Sequence, residues 1–89
     1  MMATSLPNVT IKSKEWVDLY DATGITVGTK IIIQNIGANE CRLVESDIQP
    51  IKTNGYNEIL PNQYLASADA PIGSWAYAHS GTTLHIEVA

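Results

Sequence analysis

Apolar and polar residues alternate over short stretches of this chain, a pattern typical of half-buried β-strands. Val9 and Ile11 alternate with polar neighbours directly after a segment that contains Pro7. Residues 29–34 are rich in β-branched side chains and apolar at consecutive positions, which predicts a central strand buried on both faces. In the segment that ends the chain, the apolar residues face one way and His85 and Glu87 the other.

Turn-forming residues divide the remaining chain into further short strands. The further predicted strands are residues 41–48, 59–60, 64–66, 75–79 and 83–88. The loop composition of residues 35–39 predicts a first hairpin, and residues 80–82 predict a closing hairpin. Asn54 and Gly55 form a tight-turn signal, because both residue types accept a positive φ.

Residues 14–22 are the one stretch with helical spacing of apolar residues. Asp18 or Ser13 is placed to cap a turn there, whereas Gly24 and Gly28 prevent a longer helix. We therefore expect a strand or a single helical turn that ends at Gly24. About seven short strands with frequent turns predict an all-β fold, a small antiparallel β-sandwich of the jelly-roll or immunoglobulin-like kind, or a small barrel.

The chain length of 89 residues allows one domain, which we assign to residues 9–89 after an extended arm of residues 1–8. Charged residues make up only 16% of the chain, so we expect part of the surface to be covered by other copies or by a partner. The net charge of −4 argues against nucleic-acid binding. No segment has the length or apolarity of a membrane span or the composition of a signal peptide, which predicts folding in a reducing cytoplasm.

Three residues near the C-terminal end have side chains of the metal-ligating type, namely His79, His85 and Glu87. A three-residue hairpin loop would place the two histidines on one strand face, whereas a two- or four-residue loop would separate them. We interpret them as solvent-facing residues of a polar strand face and predict neither a metal nor a cofactor.

The remaining reactive side chains also have a structural interpretation. Glu45 and Asp47 share one face of a predicted strand, which is typical of a solvated acidic edge. Cys41, the single cysteine, is expected to be a small buried apolar residue that forms no intrachain disulfide. The chain has no nucleophile elbow and no phosphate-binding glycine loop, so we do not expect an enzyme.

The six aromatic residues are all Trp or Tyr, the rings with a polar group that interfaces and sugar-binding surfaces use. We expect Trp16, Tyr20 and Trp75 to fill the core of the sandwich. Tyr56 and Tyr64 stand beside turns and are the better candidates for exposed contact residues.

From Trp16 onward the sequence resembles small virion structural proteins of tailed bacteriophages, encoded among head and tail genes. The matching residues are Trp16-x-Asp18-Leu19-Tyr20-x-Ala22-Thr23-Gly24-Ile25-x-x-Gly28-Thr29, Gln34-Asn35-x-Gly37, Val44-Glu45-Ser46, Pro50, Gly55, Leu60-Pro61 and Gly73-x-Trp75-Ala76. These motifs are turn glycines, aromatic residues and a Leu-Pro corner, so they indicate fold and setting and transfer no catalytic residue. The chain departs from the pattern at Asn62, where glycine is expected.

The resemblance implies a non-enzymatic virion protein that assembles in the bacterial cytoplasm, contacts the major capsid protein or other virion proteins, and forms a homo-oligomer. We favour a capsid decoration or cement protein that bridges coat subunits. The alternatives are a head–tail adaptor or fibre-attachment component and, in another class, a carbohydrate-binding module for host recognition. The candidate interface residues are Tyr56, Tyr64, Tyr77, His79, Leu6 and Pro7.

Overall fold

The chain folds into two four-stranded antiparallel sheets that pack face to face, so the predicted β-sandwich is confirmed, with eight strands in place of about seven. The computed structural model describes residues 8–51 and 56–89. In chain order the elements are β1 (Val9–Ile11), β2 (Trp16–Asp18), α1 (Leu19–Thr23), β3 (Ile31–Asn35), β4 (Cys41–Val44), β5 (Asn57–Ile59), β6 (Tyr64–Ala66), β7 (Trp75–Tyr77) and β8 (Thr82–Val88). The turn predicted at Asn54 and Gly55 lies outside the described residues.

The order of strands is β1-β8-β3-β6 in the first sheet and β2-β7-β4-β5 in the second. β3 and β4 therefore belong to opposite sheets, as do β7 and β8, and both predicted hairpins are wrong. The loops at residues 36–40 and 78–81 instead cross from one sheet to the other. Loop composition signals a reversal of the chain, but it does not distinguish a hairpin within a sheet from a crossover between sheets.

Two predicted strands are shorter or less buried than expected. The strand predicted at residues 41–48 ends at Val44, so Glu45 and Asp47 lie in the following loop. β3 is central in its sheet, but its burial alternates: Ile31 and Ile33 are buried, whereas Ile32 and Gln34 are only half-buried. Its outward face is thus partly open, because a two-layer sandwich covers each sheet on one side only.

The segment that allowed either a strand or a helical turn contains both, because β2 continues directly into α1. The side chain of Asp18 caps the helix, with its Oδ1 accepting hydrogen bonds from the backbone N–H groups of Tyr20 (3.0 Å) and Asp21 (3.2 Å). Gly24 ends the helix in the left-handed conformation at φ 75°, as the sequence predicts. This five-residue helix is far too short to span a bilayer, and the described residues contain no helix that is long and apolar enough to do so.

The core is asymmetric across the two layers. The first sheet contributes large aliphatic side chains, namely Val9, Ile11, Ile31, Ile33, Leu84 and Ile86. The second contributes several smaller ones, with Cys41, Ala76 and the adjacent Ala78 beside Leu43 and Ile59. Tyr20 is buried as predicted, and its hydroxyl donates to the carbonyl of Thr29 at 2.6 Å. The expectation that Trp16 and Trp75 fill the core is wrong, because both face outward from the second sheet and are only half-buried.

One fully buried polar side chain, Asn35, connects the two sheets. Its Nδ2 donates to the carbonyls of Asn39 (2.7 Å) and Ile59 (3.1 Å). Its Oδ1 accepts from the backbone N–H of Gly37 (3.1 Å) and from the hydroxyl of Thr82 (2.8 Å). All four hydrogen-bonding positions of the amide are satisfied, as a buried polar group requires. Asn35 thereby fixes β5 of one sheet against β3 and β8 of the other.

Candidate interaction surfaces

The metal-ligating side chains near the C-terminal end do not converge. Tyr77 pairs with Trp16 and Arg42 in the second sheet, so the hairpin register that would bring His79 and His85 together does not form. Nε2 of His85 lies 2.8 Å from the carboxylate of Glu87, its neighbour on the same strand face. Within residues 8–51 and 56–89, no three His, Cys, Asp or Glu side chains are grouped as metal ligands would be.

Of the candidate interface residues, Tyr56 and Tyr77 lie near each other on the second sheet, whereas Tyr64 and His79 lie elsewhere on the fold. Tyr64 begins the edge strand β6 and is 66% exposed. His79 is exposed just after β7, and its backbone carbonyl accepts a hydrogen bond from the hydroxyl of Ser13 at 2.6 Å. Tyr77 and Tyr56 are half-buried on the second sheet.

Leu6 and Pro7, together with the rest of the arm up to residue 7, lie outside the described residues. The described residue of the arm is Asn8, whose Oδ1 lies 3.3 Å from Nδ1 of His85. This contact places the start of the described chain beside β8.

The start of β3, the end of β8, the end of β4 and the start of β7 lie at the same end of the sandwich. Five large exposed apolar residues belong to these strand ends or to the segments next to them, and we call this the apolar end. They are Val27 (54% exposed), Ile48 (69%), Ile51 (93%), Ile72 (64%) and Val88 (55%). The described residues include eight exposed large hydrophobic side chains in all, so this end holds more than half of them. Such a concentration at one end of a fold is typical of an interaction site, whereas scattered exposed apolar residues are ordinary.

Hydrogen bonds hold the loops of the apolar end against one another. The carboxylate of Glu45 accepts from the backbone N–H of Ala68 at 3.1 Å, and the indole of Trp75 donates to the carbonyl of Ser46 at 3.1 Å. The N–H of Ala89 donates to the carbonyl of Lys30 at 3.0 Å. The segment after β4 therefore contacts the segment before β7, and the C-terminal end of β8 contacts the residue that precedes β3.

A close backbone approach fixes the same loops further. A Cβ at Gly73 would overlap the carbonyl oxygen of Ser46, so these two loops can pack together only with glycine at this position. The loop that contains Ile72 is thus held in place by its close contact with the loop that contains Ser46, and this contact preorganises the apolar end.

The charged side chains around the apolar end are mostly acidic. Among residues 8–51 and 56–89, Glu45, Asp47 and Asp69 lie in the loops that carry it, together with the basic residue Lys30, whose Nζ is 3.3 Å from the Asp69 carboxylate. A partner surface that covers this end is therefore best matched by an apolar centre with basic residues at its margin.

A second surface, which we call the aromatic face, covers the outer side of the second sheet. It consists of Trp16, Trp75, Tyr77 and the adjacent Tyr56, arranged around Arg42. Four of the six aromatic residues of the chain therefore lie on one face of one sheet. All four rings are half-buried.

Cross-strand pairing sets the geometry of the aromatic face. Trp16, Tyr77, Arg42 and Glu58 occupy directly opposed positions on β2, β7, β4 and β5 and form a row across the sheet. The rings of Trp16 and Tyr77 are 5.1 Å apart and inclined by 45°. The guanidinium carbon of Arg42 lies 4.9 Å from the ring centre of Tyr56 and 5.9 Å from that of Tyr77.

Two titratable groups near these surfaces have shifted pKa values. Burial raises the pKa of the Cys41 thiol to about 12, so the thiol is protonated and unreactive at neutral pH, as expected for a small buried residue. A hydrogen bond with Glu40 and the charge of that carboxylate raise the pKa of Glu58 above its ordinary value, although Arg42 acts in the opposite direction.

Sequence reasoning missed the apolar end. Its isoleucines stand alone in turn-rich segments, where neither strand nor helix periodicity applies. Ile51 follows Pro50 directly, Ile48 precedes it by two residues, and Ile72 follows Pro71. An isolated large aliphatic residue within two positions of a proline, in a turn-rich segment, is the sequence signal that marks these positions.

Comparison with protein families, with curated proteins and with solved structures finds no match to this chain.

Proposed function

We propose that this protein is a non-enzymatic structural component of a tailed-bacteriophage virion, and that it decorates the capsid by binding coat subunits through the apolar end. The setting rests on the resemblance of residues from Trp16 onward. The mode of binding rests on one observation, the concentration of Val27, Ile48, Ile51, Ile72 and Val88 at one end of the sandwich.

The energetics of the apolar end favour a protein partner. Burying one isoleucine side chain contributes about 1.5–3 kcal/mol, so an interface that covers several of them offsets the entropy lost on binding. Carboxylates around the end disfavour anionic lipid headgroups and nucleic-acid phosphates. The partner that best matches this end is therefore a protein surface with an apolar centre.

The interior of the sandwich also favours a structural role. One cavity between the sheets, lined in part by Ile33, Leu43 and Ser67, has a volume of about 30 Å³. Sites for small molecules usually occupy about 300–1,000 Å³. The buried polar side chain of Asn35 crosslinks the two sheets by hydrogen bonds, and a sandwich held rigid in this way suits a spacer between other proteins.

The test is binding of the purified protein to capsids emptied of DNA, measured by sedimentation. Ile72→Asp removes one exposed isoleucine and adds a charge, so we expect its affinity for capsids to fall at least tenfold, which corresponds to about 1.4 kcal/mol. Its melting temperature should stay close to that of the parent, since the side chain is 64% exposed.

Leu60→Asp is the matched control. Leu60 is an exposed aliphatic residue (45%) in the β5–β6 loop, at the opposite end of the sandwich. Capsid affinity should be unchanged in this variant. Equal losses in the two variants, or no binding of the parent protein, would contradict the proposed docking end.

A further inference from the structure

The aromatic face is separate from the apolar end in its chemistry, because it combines ring surfaces with hydrogen-bonding charged groups. In a two-layer sandwich the outer side of a sheet has no further layer over it, so the four rings contact solvent along their free surfaces. At the usual spacing of neighbouring strands, the row from β2 to β5 spans about 14 Å. This length suits an extended ligand.

Arg42 is the central polar group of this face. Its guanidinium is held between the rings of Tyr56 and Tyr77, its side chain is 22% exposed, and its Nη2 lies 3.9 Å from the Glu40 carboxylate. Within the described residues, its buried Nε has no hydrogen-bond partner. Stacking of a cation on two rings fixes its orientation, so its outward N–H groups are preorganised donors.

The charges around Arg42 narrow the class of ligand. Glu40 and Glu58 flank it, so the row has an excess of negative charge that disfavours phosphate, sulfate and carboxylate ligands. A cationic ligand would meet Arg42 at the centre of the row. The ligand that matches this face is therefore uncharged. It has C–H groups on one side, which pack on the rings, and hydroxyl groups along its edge, which form hydrogen bonds with the charged side chains.

We propose that the aromatic face binds a neutral oligosaccharide. Pyranose C–H groups pack on the rings of Trp16 and Tyr77, while Arg42 donates to sugar oxygens and Glu58 accepts from sugar hydroxyls. The 45° inclination between the rings makes the surface twisted, which fits a single soluble sugar chain better than a flat crystalline polysaccharide.

The test is a titration of the protein with maltohexaose, cellohexaose and chitohexaose, followed by tryptophan fluorescence and by backbone amide chemical shifts. We expect at least one of these neutral hexasaccharides to bind, with shifts centred on Trp16, Tyr77 and Arg42. A sulfated heparin oligosaccharide should not bind. Absence of binding to all three up to 10 mM, or shifts centred elsewhere, would overturn the proposal.

Two variants locate the site. Trp16→Ala removes a ring from the edge strand β2 and should weaken binding at least fivefold. Tyr64→Ala removes a more exposed ring from the other sheet and should leave binding unchanged. If Trp16→Ala does not fold, Arg42→Lys keeps the charge but not the planar donor group and should show the same loss. Equal effects of the face and control variants would contradict the assignment.

Discussion

The substitution Asn35→Asp tests the buried crosslink between the two sheets with almost no change of shape. The parent amide donates to the carbonyls of Asn39 and Ile59 and accepts from Gly37 and Thr82. A carboxylate keeps both accepted hydrogen bonds but places an oxygen against two carbonyl oxygens. A protonated carboxyl group restores only one of the two donated bonds.

The expected loss follows from these contacts. One missing hydrogen bond with its buried acceptor left unsatisfied costs about 1–3 kcal/mol. Each unit by which burial raises the pKa of the new carboxyl group adds about 1.4 kcal/mol at neutral pH. We therefore expect a loss of about 3–4 kcal/mol at pH 7, which is a large part of the stability of about 5–15 kcal/mol usual for a small domain.

The pH dependence has a defined sign. The unfolded variant loses the carboxyl proton near pH 4, whereas the folded variant holds it to a higher pH, because its environment disfavours the charged form. Between these two pH values, unfolding releases a proton, and stability falls as the pH rises. The deficit relative to the parent should be smallest below pH 4, where only the missing hydrogen bond contributes about 1–3 kcal/mol.

The assay is urea unfolding of both proteins at pH 3.5 and pH 7. Asn62→Asp is the control, because Asn62 is exposed at φ 71° and aspartate also tolerates this conformation. It should change the free energy of unfolding by less than about 0.5 kcal/mol. A deficit for Asn35→Asp that is below 1 kcal/mol at pH 7, or that does not change with pH, would refute the role assigned to this network.

Three further predictions concern other contacts of the described chain. Gly37→Ala should lower the melting temperature by several degrees in thermal unfolding, because the added Cβ would overlap the Thr82 hydroxyl and the neighbouring backbone. An unchanged melting temperature would contradict this and show that the loop can move to make room for the methyl group. Cys41 should react with a thiol reagent at pH 8 only as fast as the protein unfolds, and rapid labelling of the folded protein would contradict the burial. Stability should fall above about pH 9, because burial raises the thiol pKa from 9.0 to about 12. Cys41→Ala should show a smaller fall, and the fall that remains includes the contribution of Tyr20, whose pKa burial also raises. Glu40→Gln should move the pKa of Glu58 down towards its ordinary value in a carbon-detected NMR titration, because Glu40 is the main cause of its upward shift. If the pKa of Glu58 did not change in this variant, Glu40 would not be the main cause.

The sandwich could be predicted from the chain because local patterns determine where strands form. Alternating residues at Val9 and Ile11 predict β1, and Asp18 and Gly24 mark the two ends of α1. The pairing of strands could not be predicted in this way. Residues 80–82 have turn composition, but β7 pairs with β2 and β4, and β8 lies in the opposite sheet.

The candidate surfaces were predictable only in part, for the same reason. The bias towards Trp and Tyr indicates contact surfaces, yet the row of Trp16, Tyr77 and Arg42 joins three strands that are distant in sequence. The apolar end likewise brings together loops separated by more than twenty residues, such as those containing Ile48 and Ile72. Non-local pairing creates both surfaces, and short-range patterns contain no information about it.

The most direct test of the proposed role is the copy number of this protein in purified virions, measured by quantitative mass spectrometry against the major capsid protein. The decoration role predicts a copy number comparable to that of the coat protein. A few copies per particle would contradict decoration and favour the head–tail adaptor alternative. Absence from purified virions would contradict the virion role altogether.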